Sequence, residues 1–429
     1  MSYEVQCKMF SFGGYDMNFK RKLWWAQHRT DVYKYGTILS LVLIVTISII
    51  YFTYSKFSST NEMTMYETTV VPFIKNDYFI ASYIDGEWSN TIPGKNDGYV
   101  VDKIVCDNGA IGVWDNDDWG IKITNVTQKI KCSVFFVVKP ASVTEKITTL
   151  AATDTTNFAT DDPDNNIRYI GKNPKNYVYF NCSDYNNQSY STCEKWRIIG
   201  VFKNMTKEDG SKEDLVKIIR DDSLGSIAWD SNNVNDWSTA SLQTTLNGTY
   251  YNGTYATGAF KNDSTRNAIE SVVWNLGGTA NYQSSSNGLA SHWYGYERGT
   301  TVYSGRPTTW TGKIALMYPS DYGYATAGGT TTNRASCLAK ELYSWDVSGV
   351  SDCKNNDYLF KSAYTQWTLA PLSFLTDYAF TVLAGGCVIS NLSVNTSTGV
   401  RPAAFLKSSV SLSSVGDGSS TSPYQLKVG

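Results

Sequence analysis

The chain has 429 residues, a formal net charge of −2 at pH 7, and 14% aromatic residues, including 30 Tyr and 13 Trp. A chain this close to neutral has no overall field that attracts nucleic acid, and we exclude that class of partner. Its length allows two or three domains, each with a core of its own.

An uncharged apolar run occupies residues 35–55 and follows a basic segment, residues 1–34. A helix of that length reaches roughly 30 Å, the thickness of a bilayer's hydrocarbon core. Because the cations stand before the run, the positive-inside rule predicts a cytoplasmic tail and extracellular C-terminal domains. We therefore predict a single-pass signal anchor in the cell membrane. A cleavable signal peptide is the alternative, although no small-x-small cleavage site follows the run.

A juxtamembrane linker, residues 56–67, leads to a first module, residues 68–138. Its apolar and alternating segments predict a small β-sandwich with turn-rich connections. In one connection Asp115, Asn116, Asp117 and Asp118 could hold Ca²⁺, but the EF-hand spacing is missing and a solvated turn is favoured. We predict no cofactor. The expected strands are 69–74, Tyr78–Ile84, Tyr99–Cys106, 119–124 and Ile130–Val138.

Seven of the eight cysteines follow the apolar run, where an oxidising compartment would favour disulfides. Six cysteines allow 15 pairings, so spacing alone does not prove connectivity. Zinc ligation is the alternative, but the chain has no C-x-x-C pair and only His292 after the run, so we predict no metal. Cys387 is left over as a buried, free or intermolecular thiol. Neighbouring cysteines suggest the pairs Cys106–Cys132, Cys182–Cys193 and Cys337–Cys353.

Residues 139–166 are rich in Thr, Asp and Asn and predict a linker. The remainder, residues 167–429, combines many short strand patterns with few helical ones. Helical spacing relates Trp237 to the leucines that follow it, and a second helix is expected at 265–276. The predicted fold class is therefore a single transmembrane helix, a small all-β module and an α+β head.

Several motifs of the head carry a resemblance to a known group: KWRIIGVF, WDSNNVNDWSTASLQTTLNGTYY, KIALMYPSDYGYA, QWTLAPLS and GVRPAAFLK occur in this order. Together they resemble exported bacterial proteins with a C-terminal domain of the formylglycine-generating-enzyme-like branch of the C-type lectin fold. The first module is similar to the Cys-paired β-module that precedes this domain in membrane-anchored bacterial surface proteins. The resemblance implies a C-type-lectin-like head over residues 167–429.

The resemblance also implies where a ligand would bind. Enzymatic members of the group carry a pair of copper-binding active-site cysteines, whereas Cys387 stands alone, so no enzymatic activity is expected. The group's variable binding face, carried over, lies between residues 366 and 398. Arg401 is expected to hold loops through hydrogen bonds to carbonyls, and Trp196 to pack the core. The candidate ligand-binding residues are Trp367, Phe374, Tyr378 and Asn391.

We therefore predict a non-catalytic, adhesin-like or receptor-like surface protein that binds an external glycan or protein through aromatic and amide side chains. A self-assembling structural component is one alternative, and the oligomeric state is left open. An enzyme on the same scaffold is the other, with a cleft around His292, Tyr294 and Glu297. No GxSxG, P-loop or GxGxxG motif supports the enzyme.

Overall fold

The computed structural model describes Lys34 and residues 78–428. The chain divides into two compact units, Met1–Lys139 and Pro140–Gly429. The predicted anchor (35–55), the juxtamembrane linker (56–67), the strand at 69–74 and all of the basic tail except Lys34 lie outside the described residues. The two units are therefore described from Tyr78 onwards, each by itself.

The predicted fold class is wrong. Strands make up 34% and helices 16% of the structure, so a mostly β architecture replaces the predicted combination of a transmembrane helix with an α+β head. Among the described residues the longest helix has 9 residues, against roughly 20 needed to cross a bilayer. No helix in that part of the chain is both long and apolar enough to do so. On this finding the predicted single-pass localisation is corrected as well.

The first unit is a four-stranded sheet covered on one face by a two-stranded hairpin. The sheet order is β2-β1-β6-β3, with β1 and β6 parallel and the other neighbours antiparallel. Phe136 of the sheet packs edge-on against Trp114 of the hairpin, with ring centroids 5.3 Å apart. The strands are β1 Tyr78–Ile84, β2 Glu87–Ser89, β3 Tyr99–Cys106, β4 Ile111–Asp115, β5 Gly120–Thr124 and β6 Ile130–Val138.

The opposite face of this sheet is open and aromatic. Trp88 is 63% exposed and Phe79 57% exposed. Tyr83 and Phe135 stack with their centroids 4.6 Å apart, and the Lys103 ammonium lies 4.8 Å from the Phe135 centroid. The pattern is the expected one for a sheet with one buried and one solvated face, since neighbouring residues point to opposite sides.

The second unit is built on two sheets. The larger has the order β13-β21-β11-β10-β8-β7, with β16 beside β21 and β9 beside β10; the smaller has the order β12-β20-β17-β18-β19. Two further two-stranded antiparallel sheets are β14–β15 and β22–β23. The strands of the larger sheet are β7 Phe158–Ala159, β8 Ile167–Tyr169, β9 Tyr177–Phe180, β10 Glu194–Thr206, β11 Lys212–Arg220, β13 Ile269–Glu270, β16 Ile314–Ala315 and β21 Ala403–Leu406. The other strands are β12 Ser226–Ala228, β14 Val272–Asn275, β15 Thr309–Gly312, β17 Gln366–Pro371, β18 Tyr378–Val382, β19 Val388–Ser393, β20 Ser397–Gly399, β22 Ser411–Leu412 and β23 Leu426–Lys427.

The helices of the second unit are short and lie between the strands. A π-helical turn, Leu246–Tyr250, extends the second of them, and 3-10 turns occupy Leu342–Ser344 and Ser348–Val350. Residues 265–276, predicted as helix, instead form the end of one helix and two strands, because Val272, Val273 and Trp274 favour extended backbone. The helices are α1 Val143–Ala151, α2 Ser241–Thr245, α3 Asp263–Asn267, α4 Ala290–Glu297, α5 Pro319–Ala325, α6 Arg334–Leu338 and α7 Ser351–Asn355.

The segment predicted as a linker, residues 139–166, belongs to the second unit from Pro140 onwards. The Ser142 hydroxyl accepts a hydrogen bond from the Glu145 backbone N–H, and the Glu145 carboxylate accepts one from the Ser142 N–H, which together cap the first turn of α1. Val143 and Ile147, both fully buried, anchor that helix in the main core. The local composition is polar, but the few apolar residues fall one helical turn apart and on one face.

A bulge in β10 lies where this strand changes its partner from β9 to β8. The register with β11 shifts between Ile198 and Gly200. On its other side β10 pairs first with β9 and then with β8. At position 200 a Cβ would lie 2.0 Å from the Ile167 carbonyl oxygen, so only glycine allows β8 to approach this closely.

Candidate functional site

The predicted ligand-binding residue Trp367 lies in the core. Its side chain is 1% exposed, and its Nε1 donates to the Ile227 carbonyl oxygen at 3.1 Å. Strand β17, which carries it, is the central strand of the smaller sheet and all six of its residues are buried. In this conformation Trp367 therefore packs the domain and presents no surface to a ligand.

Phe374 lies in the loop between β17 and β18, and Tyr378 is the first residue of β18. The Asn235 side-chain amide donates to the carbonyl oxygens of Leu372, Leu375 and Tyr378 at 3.0, 2.8 and 2.8 Å. Phe374 is 57% exposed, whereas Tyr378 is half-buried. The loop thus holds one exposed aromatic ring in place, a smaller surface than the sequence predicted.

Asn391 is exposed on β19, the edge strand of the smaller sheet. The register pairs Tyr378 with Ser393 across β18 and β19. Of the four predicted ligand-binding residues, the structure therefore leaves Phe374 and Asn391 well exposed, and it removes Trp367 from the surface.

The two residues predicted as structural make the contacts of structural residues. Arg401 is 2% exposed and donates to the carbonyl oxygens of Arg220 at 2.9 Å and Leu359 at 3.1 Å. Trp196 is fully buried and its ring packs edge-on against Phe180, with centroids 5.1 Å apart. Arg401 in this way ties the end of β11 to the segment that follows α7.

The three predicted disulfides are confirmed: Cys106–Cys132, Cys182–Cys193 and Cys337–Cys353. Cys387 is free and 4% exposed, and burial raises its pKa to about 11. A thiol with so high a pKa carries little thiolate near neutral pH and is a poor nucleophile.

In the acidic loop of the first unit, the carboxylate of Asp115 binds groups of the same hairpin. Asp115 accepts hydrogen bonds from the backbone N–H groups of Asp117 and Asp118 and pairs with Lys122. The Lys122 ammonium and these N–H groups lower the pKa of Asp115 to about 2. Across the described residues, no group of three or more His, Cys, Asp or Glu side chains is arranged to hold a metal ion.

The residues of the enzyme alternative all lie on α4 but serve different contacts. His292 Nδ1 accepts a hydrogen bond from the Leu289 N–H at 3.3 Å, near the start of the helix. The Tyr294 hydroxyl donates to Asp164 at 2.6 Å. Glu297 is fully buried and accepts hydrogen bonds from both the Ser320 N–H and its hydroxyl. Tyr294 and Glu297 are 3% and 0% exposed, so both side chains are used in internal contacts.

A polar cavity of about 360 Å³ opens instead beside strands β9 and β10. Its walls come from the loop before β9, from one residue each of β9 and β10, and from the segment that follows α7. This volume is within the usual range for a small-molecule site. Its lining includes Lys172, Tyr177, Arg197, Asp357, Tyr358 and Lys361.

Arg197 is placed by the pairing of the two strands. Tyr177 of β9 is its direct partner in the register, so the two side chains leave the same face of the sheet. The guanidinium carbon lies 3.7 Å from the Tyr177 ring centroid and 4.8 Å from that of Tyr358. Its Nε donates to Asn176 Oδ1 at 2.7 Å, and its Nη1 lies 3.6 Å from Asp221. The remaining nitrogen, Nη2, is buried and has no partner among the described residues.

Asp357 forms another part of the wall. Its Oδ1 accepts the Leu359 N–H at 2.7 Å, while its buried Oδ2 has no partner in the described part of the chain. Burial raises the pKa of this carboxyl well above its usual range. The neighbouring Tyr358 hydroxyl lies 3.5 Å from the carbonyl oxygens of Ile198 and Ile199, at the bulge of β10.

The segment that carries Asp357 is fixed from behind. Gln366 Nε2 donates to the Leu359 carbonyl oxygen at 2.8 Å, which also receives the bond from Arg401. The disulfide Cys337–Cys353 joins α6 to α7, immediately before this segment. The wall of the cavity is therefore preorganised, although it is an irregular stretch of chain.

The electrostatic balance of the site is positive. Asp221 stands beside the cavity, where Lys361 contacts it at 3.0 Å. Burial alone would raise the pKa of Asp221, but the charges of Lys361, Arg401 and Arg197 outweigh that effect and lower it. Burial, and then the charge of Arg401, lowers the pKa of Lys361. With Lys172 also in the lining, the cations exceed the ionised acids.

The lining of the cavity offers groups that can bind a polar ligand. Stacked cations, phenol rings and a buried carboxyl are groups that recognise such ligands.

Sequence reasoning missed this site, although one signal was available. Arg197 interrupts the apolar strand of KWRIIGVF, and a charge on a buried strand requires a specific partner or a ligand. The segment 355–362 offers no comparable pattern. In comparisons with known proteins, no family model, no curated protein and no solved structure matches this chain.

Proposed function

We propose that this chain is a non-catalytic binding protein whose second unit holds a small polar ligand in the cavity beside β9 and β10. One observation carries the proposal: the cavity is lined by a 2% exposed guanidinium, that of Arg197, with an unpartnered Nη2. Leaving a buried polar group unpaired costs about 1–3 kcal/mol. A ligand that supplies the missing partner would recover that cost.

The sequence motifs support the same class of function independently. They resemble a group whose fold serves as a ligand-binding scaffold as well as an enzyme, and in the described part of the chain Cys387 has no second free cysteine with which to bind copper. We keep this membership and the absence of catalysis as proposals. The exposed Phe374 on its rigid loop is a second place where a larger ligand, a glycan or a protein, could dock.

The test is a thermal-shift screen of the purified chain against a library of polar metabolites, followed by calorimetric titration of each hit. Ser362→Trp places a bulky ring at an exposed position of the cavity lining, and Ser285→Trp adds the same ring at an exposed position outside it. We expect a saturable ligand whose binding is lost in Ser362→Trp and kept in Ser285→Trp.

Three outcomes would contradict the proposal. Binding that is unchanged in Ser362→Trp would remove the cavity as the site. Binding lost in Phe374→Ala but kept in Ser362→Trp would move it to the loop. Conversion of a bound ligand to a product, followed by nuclear magnetic resonance, would replace the binding protein with an enzyme.

A further inference from the structure

Two residues of the cavity lining each carry a buried polar atom that has no partner among the described residues, and the two atoms are of opposite character. Nη2 of Arg197 can only donate a hydrogen bond, because a guanidinium has no acceptor. Oδ2 of Asp357 accepts when the carboxyl is ionised. Both residues line the same space, and they are 2% and 3% exposed. Buried polar atoms are paired in the great majority of native structures, so two orphans in one cavity call for a partner.

The end of the cavity at Arg197 is suited to an anion. Nε donates to Asn176 and Nη1 forms an ion pair with Asp221 at 3.6 Å, whereas Nη2 has no partner among the described residues. Lys361 contributes a second positive charge. One oxygen of Asp221, 3.0 Å from the Lys361 ammonium, neutralises that charge only in part. Charge-assisted bonds to a carboxylate or phosphate are roughly twice as strong as neutral ones.

The end at Asp357 is suited to a cation. Its Oδ1 is satisfied by the backbone N–H of Leu359, and Oδ2 is left over. The raised pKa of this carboxyl reflects burial that the surrounding charges do not offset. An ammonium group of a ligand would provide the missing opposite charge and favour the ionised form.

From this juxtaposition we propose that the ligand is a small zwitterion of the amino-acid class. Its anionic group meets Arg197 and Lys361, and its ammonium group meets Asp357. The inference rests on the proposed function and narrows it. When Asp357 is ionised, a simple anion would leave its Oδ2 unpaired and a simple amine would leave Arg197 Nη2 unpaired, so a ligand with both groups satisfies this state of the cavity better than either.

The test uses calorimetric titration of the full chain with the twenty common amino acids, 3-aminopropanoate and 4-aminobutanoate. The last two lengthen the separation of the charged groups. Each compound that binds is compared with its deaminated acid and its decarboxylated amine. We expect at least one zwitterion to bind at least tenfold more tightly than both of its analogues.

Variants assign the two ends. Asp357→Asn keeps the shape and the acceptor for the Leu359 N–H, and we expect it to bind zwitterion and deaminated acid equally. Lys361→Met tests the contact with the anionic group of the ligand. It should weaken the binding of the zwitterion and of its deaminated acid at least tenfold. Asp102→Asn, in the other unit, is the matched control and should change neither. Unfolding midpoints establish that each variant is folded.

The outcomes separate this inference from the proposed function. Deaminated acids or inorganic phosphate that bind as tightly as any zwitterion, unaffected by Asp357→Asn but blocked by Ser362→Trp, would overturn the zwitterion and leave the binding cavity. Amino acids that bind equally well to Ser362→Trp would overturn both.

Discussion

Glu297 is a buried acid in the second unit, and its ionisation is expected to govern part of the pH dependence of stability. Burial raises its pKa to about 7, although the charge of Arg298 and the Ser320 hydroxyl oppose that shift. A folded-state pKa above the unfolded value means that the native state holds a proton which the unfolded chain releases. The stabilisation that the protonated Glu297 gives the native state is therefore complete below about pH 4.5 and is lost as the pH rises through about 7.

We expect Glu297→Gln to remove this loss. A shift of this size corresponds to about 3 kcal/mol between acid and alkaline conditions, from 1.36 kcal/mol per pKa unit. Urea unfolding between pH 5 and 8 should show the wild-type stability falling and that of Glu297→Gln changing less. Glu208→Gln, at an exposed position, is the control. Parallel pH profiles for wild type and Glu297→Gln would refute the assignment.

Near Glu297, a buried ion cluster shows how the larger sheet accommodates charge. Lys217 of β11 and Arg168 of β8 both form ion pairs with Asp321 at the start of α5. Arg168 Nη1 lies 2.7 Å from Asp321 Oδ1. All three side chains are at most 1% exposed. Breaking a buried pair by removing one partner typically costs about 3–5 kcal/mol, because the other charge is left without compensation. The cluster therefore fixes α5 against the sheet.

At the scale of elements, the disulfide Cys337–Cys353 is expected to support the cavity as well as the fold. Replacing both cysteines with Ala should lower the free energy of unfolding by about 3 kcal/mol, because a disulfide that closes a loop of roughly 15 residues reduces the entropy of the unfolded chain by that amount. It should also loosen α7 and the wall that carries Asp357. Loss of ligand affinity should accompany the lower unfolding midpoint.

The matched comparison is removal of Cys182–Cys193, which closes a shorter loop outside the cavity lining. That variant should lose a similar amount of stability and keep its affinity. Equal affinities in both variants, measured well below their melting temperatures, would mean that the disulfide has no role in shaping the site.

At the scale of the whole molecule, each unit has a core of its own. The first centres on Cys132, Val134 and Phe136, and the second has a far larger cluster. We expect residues 140–429 to fold alone and to unfold in one cooperative transition with the midpoint they show in the full chain. Differential scanning calorimetry of both chains checks this, and a midpoint lowered by more than a few degrees would contradict the independence of the units.

The sequence by itself determined the local features. Strands Tyr78–Ile84, Tyr99–Cys106 and Ile130–Val138 match the predicted bounds, because alternation of apolar residues encodes a half-buried strand. The disulfides followed from nearest neighbours along the chain. Local spacing did not reveal that residues 140–166 belong to the second unit, nor that most of 265–276 forms strands.

Only the tertiary structure decided the fold class, the parallel pairing of β1 with β6, and the cavity. A strand pattern gives neither its neighbours nor its place in a sheet, so the burial of Trp367 on a central strand was hidden from the sequence. The cavity joins Arg197 to Asp357, 160 positions further along the chain. Periodicity acts over a few residues, whereas a site of this kind depends on which distant segments pack together.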